Sequence, residues 1–224
     1  MKLLLFCFFF LINFNAFGQA NSKAYPDFHG MTLTEVLDIE GWIVIDQAKG
    51  NLYIGQNEDT VVILQSGKHR FESCNESADL LADEERIILV LTSNDGEPKV
   101  TIQNNDFIAR PDEGGMLCYL IPNVSIKNNQ LQIYYEFVRS HWQHNFEYLN
   151  NELVLVSAKN AGVSGPIFFS EYYDFRKKVI TSEEGDIQSE DTTVETIPMK
   201  VDGFKKLSEL GKMYEWEVAD RKNI

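Results

Sequence analysis

The amino-acid sequence predicts a mainly β fold: a β-rich α+β domain built as an antiparallel sheet or meander, with one or two short helices. Three observations carry that prediction. Apolar residues alternate with period two through much of the stretch from 117 to 158. Paired asparagines, Asn128-Asn129 and Asn150-Asn151, interrupt that alternation where tight hairpin turns need positive φ. Elsewhere the apolar runs are short and β-branched, and helical spacing is confined to brief stretches near the two ends.

Taken in order, residues 19 to 30 are polar, carry Pro26 and Gly30, and read as a loose segment leading into the domain. Thr32-Leu33-Thr34-Glu35 has capping-box spacing, and Leu33, Val36 and Leu37 follow at helical intervals, which predicts a short helix over about 32 to 39. Trp42 to Ile45 and Thr60 to Leu64 are β-branched strands. Between 66 and 85 the chain turns polar and acidic, as an exposed connection does. Arg86 to Leu91 is almost continuously apolar, the pattern of a central strand covered on both faces. Asn94-Asp95-Gly96 then turns the chain into a strand at Lys99 to Ile102, and Arg110 to Gly115 is a loop.

In the meander, Val124 and Ile126 lead to the first asparagine pair, and Leu131, Ile133, Tyr135 and Phe137 leave it. Trp142, His144, Phe146 and Tyr148 lead to the second pair, followed by Leu153 and Leu155. These larger apolar sets face the core, so Tyr134 and Glu136 face outward or toward a weaker cover. Phe168 to Phe175 and Val179 to Thr181 make one more hairpin. The stretch 183 to 195 carries Glu183, Glu184, Asp186, Glu190, Asp191 and Glu195 and predicts a mobile, solvated loop. Phe204, Leu207, Leu210 and Tyr214 are spaced for a short amphipathic helix before a charged tail. Nothing divides the chain from 19 to 224 into more than one domain.

Residues 1 to 18 pair one charge, Lys2, with an apolar run from Leu3 to Ile12 and end in Ala16-Phe17-Gly18, the form of a cleaved signal peptide. The run is too short to span a bilayer, and no later segment is apolar enough to do so. Cleavage leaves 206 residues and, with Lys2 gone from a chain of net charge −14, a charge of −15. The expected location is secreted or periplasmic. A pI near 4.7 argues against nucleic acid as a partner, because phosphate backbones select basic patches. Cys74 and Cys118 remain in a compartment that permits a disulfide. They either bridge or stay as a loop thiol and a buried small hydrophobe, and spacing alone leaves both open.

Several segments resemble a family of exported bacterial proteins of uncharacterised function. The first is Gly50-Asn51-Leu52-Tyr53-Ile54-Gly55-Gln56-Asn57-Glu58-Asp59 running into Thr60 to Leu64, a degenerate form of the family's Gly-Asp-Leu-Asn-x-Asp-Gly stretch. Next come the Arg86-led strand, Asp95-Gly96 and Asn104-Asn105-Asp106. Gly114-Gly115, the hairpin from Val124 to Ile133, Ser140-His141-Trp142 and Phe146-Glu147-Tyr148 follow, then Tyr173-Asp174-Phe175 with the basic turn Arg176-Lys177-Lys178. The resemblance spans about 40 to 182, implies a β-rich exported domain, and brings no catalytic residues with it.

The chemical motifs are incomplete. Across 50 to 59 a calcium loop needs oxygen side chains at alternate positions, and only Asn51 and Asp59 keep them, while Gln56 replaces the bend glycine. His141 and His144 would share a helix face but diverge on a strand, and no third ligand lies close in sequence. Gly162-Val163-Ser164-Gly165 lacks the spacing of a nucleophile elbow, and Gly114-Gly115 leads into no helix, so neither an acyl-transfer nor a nucleotide fingerprint is present. No catalytic, cofactor or metal residue is therefore assigned. Adjacent tyrosines on a strand face opposite ways, so each of Tyr134-Tyr135 and Tyr172-Tyr173 offers one ring to the face away from the core. Tyr134, Trp142, Tyr172 and Tyr173 form the candidate binding surface, suited to a protein or glycan partner at the cell envelope. The other expectation is a carboxylate-dependent extracytoplasmic hydrolase, motivated by the acidity. A pocket with two facing carboxylates would favour it.

Overall fold

A computed structural model describes residues 25–53, 58–67, 84–92, 96–117, 119–189 and 191–224. The proposed leader, both cysteines, Gly55-Gln56 and Asn94-Asp95 lie outside the described residues. The predicted mainly β architecture is present. Helix α1 (Leu33–Leu37) opens with the expected capping box: Thr32 Oγ1 accepts from the Glu35 amide, and Glu35 Oε2 accepts from the Thr32 amide.

A four-stranded antiparallel sheet follows, in the order β1 (Trp42–Gly50), β2 (Asp59–Ser66), β3 (Arg86–Thr92), β4 (Lys99–Asn104). Both of its faces are covered. Val61, Ile63, Ile88 and Val90 join the main core, while the alternate residues Val62, Leu64, Ile87 and Leu89 pack with Phe28 and Val36. This is why β3 reads as unbroken apolar sequence. Buried Arg86 is the exception; it donates to Gln65 and to the Ala109 carbonyl and lies over the Tyr119 ring.

The second sheet is a seven-stranded meander in strict chain order: β5 (Pro122–Lys127), β6 (Gln130–Glu136), β7 (Ser140–Leu149), β8 (Glu152–Ser164), β9 (Ile167–Asp174), β10 (Val179–Asp186), β11 (Thr192–Pro198). Asn128, Asn129, Asn150 and Asn151 all take positive φ, between 52° and 64°, as the hairpin turns require. The inner face carries Leu131, Ile133, Tyr135, Trp142, Phe146 and Ala158 into the core shared with the small sheet. The sheets meet edge to edge where β1 approaches β5. There Gly50 is needed: a Cβ would stand 2.8 Å from Ile126 Cγ2.

Two expectations fail at the C-terminal end. The acidic stretch near 183–195 is a hairpin, not a mobile loop: β10 pairs with β11 from Val179↔Pro198 to Gly185↔Thr192. Thr192, Thr193, Val194, Thr196 and Ile197 supply enough β-branched sequence to extend the sheet despite the charge. The amphipathic helix from Phe204 to Tyr214 is reduced to one 3₁₀ turn at Leu207–Glu209. Asn104 Nδ2 captures the Leu207 and Leu210 carbonyls at 2.6 and 2.8 Å, holding that segment against the sandwich instead of letting a helix propagate. A small hairpin, β12 (Glu217–Ala219) and β13 (Lys222–Asn223), ends the chain.

Candidate functional site

The four residues of the expected surface divide between the two faces of the large sheet. One row of register partners crosses its outer face: Tyr134, Gln143, Lys159, Tyr172, Thr181 and Thr196. Tyr134 and Tyr172 therefore lie on the open face, with Tyr172 44% exposed. Trp142 and Tyr173 do not. They are 4% and 1% exposed, and their rings stack in the core with centroids 5.9 Å apart. The alternation that sends Tyr134 and Tyr172 outward sends their neighbours and register partners inward, so a contiguous four-residue surface cannot form. Near Tyr134 the outer face is polar, with Gln132, Gln143, Asn145 and Ser157 linked by hydrogen bonds of 2.9–3.1 Å.

A concavity lies elsewhere, around Tyr53 and Tyr148. Their rings meet edge to face at 6.1 Å and separate two clefts. One, of about 490 Å³, is lined by Asp59, Thr92, Thr101, Asn151 and Glu152 together with both tyrosines. The other, of about 360 Å³, is lined by Leu52, Asn129 and Glu147 with the same two rings. Strand β7 delivers Tyr148, its continuation through the asparagine turn delivers Asn151 and Glu152, and the segment joining β1 to β2 delivers Tyr53.

Asp59 sets that segment. Its carboxylate accepts the Leu52 amide at 2.8 Å and also bonds the Tyr53 amide. This closes the turn leaving β1 and fixes the backbone that carries the Tyr53 ring. Burial holds the Asp59 carboxyl above its usual range, with the two amides acting against the rise. Burial also pushes the Tyr148 phenol up to about 12, aided by the negative charge of Asp59 and, more weakly, of Glu152. Glu152 is held by Lys206 at 3.0 Å, and Glu147 by Arg176 and Gln130. The groove thus presents one exposed aromatic face, at Tyr53, among amide, hydroxyl and carboxylate groups. Its two nearest carboxylates differ in character, one buried in backbone amides and one ion-paired at the rim.

The histidine pair behaves as strand geometry requires. His141 belongs to the outer face, against Tyr134, and His144 to the core. Among the described residues no group of three or more His, Cys, Asp or Glu side chains could hold a metal ion. Gly162 to Gly165 is the end of β8 and its turn into β9. A third cavity, of about 280 Å³, lies between Phe137, Glu113 and the 212–215 turn. Tyr214 lines it with a backbone φ of 68°, its ring edge-on to Trp142.

Sequence reasoning missed the groove because nothing in it brought Tyr53, a position that fails as a calcium ligand, together with Tyr148, a member of the core-facing set. The one signal pointing to it was Asp59, an acidic residue opening an otherwise apolar strand. No helix among the described residues is long and apolar enough to cross a membrane. Comparison with protein-family models, with characterised proteins and with solved structures finds no match to this chain.

Proposed function

We propose that the chain is an exported, non-catalytic binding domain of the cell envelope that holds a glycan in the groove at Tyr53 and Tyr148. The observation that carries this reading is the aromatic pair standing between two clefts lined by amides, hydroxyls and carboxylates. A sugar ring offers an apolar C–H face to an aromatic and a ring of hydroxyls to polar side chains, and the groove supplies both. Glu147 and Glu152 on its rim favour neutral or amino sugars over uronic or sulfated ones. The leader-like N-terminus and the resemblance to exported bacterial proteins support the location, and the acidic surface fits a partner other than nucleic acid.

Titration calorimetry with neutral, amino and acidic oligosaccharides tests the proposal. Neutral or amino sugars should bind, Tyr53→Ala should abolish binding, and Tyr172→Ala should leave it intact. Absence of binding to every sugar class by the folded chain would overturn it. The hydrolase remains the second reading because Asp59, its carboxyl pKa raised by burial, and Glu152, ion-paired with Lys206, line the same cleft. Bond cleavage during these titrations, lost in Asp59→Asn while sugar binding persists, would select it.

A further inference from the structure

The two main sheets have four edge strands, and three are covered. β1 and β5 meet each other, and residues 30–31 bond along β4 through Gly30 N to Val100 O and Val100 N to Met31 O, both at 2.9 Å. Among the described residues, nothing pairs with the outer edge of β11. Every residue from Thr192 to Thr196 on it is exposed.

The direction of its free backbone groups follows from the ladder. Met199 donates to the Lys178 carbonyl at 2.8 Å. In an antiparallel pair the bonded positions alternate, so Ile197, Glu195 and Thr193 point their amides and carbonyls at β10. Thr196, Val194 and Thr192 point theirs outward. Pro198 falls on the outward set, where its missing N–H costs no ladder bond. The edge therefore offers a run of alternate donors and acceptors with no bulge and no lysine to block it.

Charge selects what can pair there. Glu195 lies on the strand, Asp191 leads into it, and Glu183 and Glu184 stand opposite Val194 and Thr193 on β10. No basic residue occurs between 179 and 198. A second copy of this chain pairing edge to edge would bring two such acidic hairpins together, which is unfavourable. We propose that β11 docks an extended, lysine- or arginine-bearing segment of a partner protein, which adds to the sheet as one more antiparallel strand. Main-chain bonds to Thr192, Val194 and Thr196 supply the pairing, and the carboxylates select basic side chains. This site is separate from the Tyr53 groove and stands or falls independently of it.

The test is a fluorescence-anisotropy titration with a capped, labelled peptide alternating lysine and valine, matched to β11 in length, beside a glutamate–valine counterpart. The basic peptide should bind and the acidic one should not, with affinity falling about tenfold between about 20 and 200 mM salt as the charges are screened. Val194→Pro removes one outward N–H without touching the bonds to β10, and should weaken binding about tenfold. Methylating alternate backbone amides of the peptide should do the same with the protein unaltered. Failure of the basic peptide to bind, equal binding of both peptides, or indifference to both backbone changes would overturn the proposal. Self-association of the chain that Val194→Pro abolishes would overturn it too, by making a second copy the occupant.

Discussion

His144 lies parallel to Trp142 in the core, ring centroids 5.5 Å apart and planes 11° from parallel, and neither imidazole nitrogen has a hydrogen-bond partner among the described residues. Phe107 and Tyr135 close the cage edge-on at 5.1 and 6.4 Å. The imidazole is packed as an aromatic ring, and burial alone drives its pKa down to about 3 from 6.5.

Acid sensitivity follows from that cage. Below pH 6.5 the unfolded chain takes up a proton at His144 that the folded chain refuses. The stability this residue holds at neutral pH is thus lost as pH falls from 6.5 towards 3. Between pH 6.5 and about 4.5 the loss amounts to roughly 2–3 kcal/mol. His144→Leu should be close to wild type at pH 7 and more stable than wild type at pH 4.5, in paired denaturant melts. An equal stability difference at both pH values would show that His144 does not titrate in this way.

Much of the fold was legible because alternation and turn chemistry agreed. Asn128-Asn129 and Asn150-Asn151 marked their turns, and Thr32 with Glu35 marked the start of α1. The unbroken apolar run of β3 announced a strand covered on both faces. The acidic hairpin was not legible, since charge density suggested solvation while β-branching at Thr192 to Ile197 decided the outcome. Nor was the fate of the 204–214 segment, which rests on Asn104, a hundred residues away in sequence. The candidate site was half legible. The pairwise split of Tyr134-Tyr135 and Tyr172-Tyr173 followed from the pleat, but Trp142 belonged to the inward set. The meeting of Tyr53 with Tyr148 depends on a tertiary approach that no local pattern encodes.

Asp59 should act as the anchor of the groove. Asp59→Ala strips the acceptor from the Leu52 and Tyr53 amides and should cost about 1–3 kcal/mol. Asp59→Asn keeps one carbonyl oxygen and should cost less. Because burial raises the carboxyl pKa, ionisation of Asp59 subtracts stability as pH rises through that raised value, opposite in sense to His144. The wild-type advantage over Asp59→Asn should accordingly be larger at pH 4 than at pH 7. Melts at the two pH values measure it, and a reversed order would remove Asp59 from this role.

Metal should matter little to the folded chain. Asn51 and Asp59 offer one amide and one carboxylate, the latter already engaged by backbone amides, and His141 and His144 lie on opposite faces of β7. Thermal melts with and without a chelator should coincide. A fall of several degrees that calcium or zinc restored would contradict this, since a bound ion stabilises the state that binds it.

The register of the meander can be tested most sharply at two residues three positions apart on β6. Ile133 is fully buried between Val124 on β5 and His144 on β7, whereas Glu136 is exposed at the strand end and accepts the Tyr134 hydroxyl. Truncating Ile133 to alanine removes core methyl groups and leaves a cavity that flanking strands cannot fill, at about 2–5 kcal/mol. Glu136→Ala gives up one solvent-exposed contact and should cost under about 0.5 kcal/mol. A one-residue slip would exchange the two faces, bringing Tyr134 inward and carrying Ile133 out with Leu131 and Tyr135. Denaturant melts of the two variants therefore read the register directly. Comparable small losses in both would mean that β6 does not present Ile133 to the core.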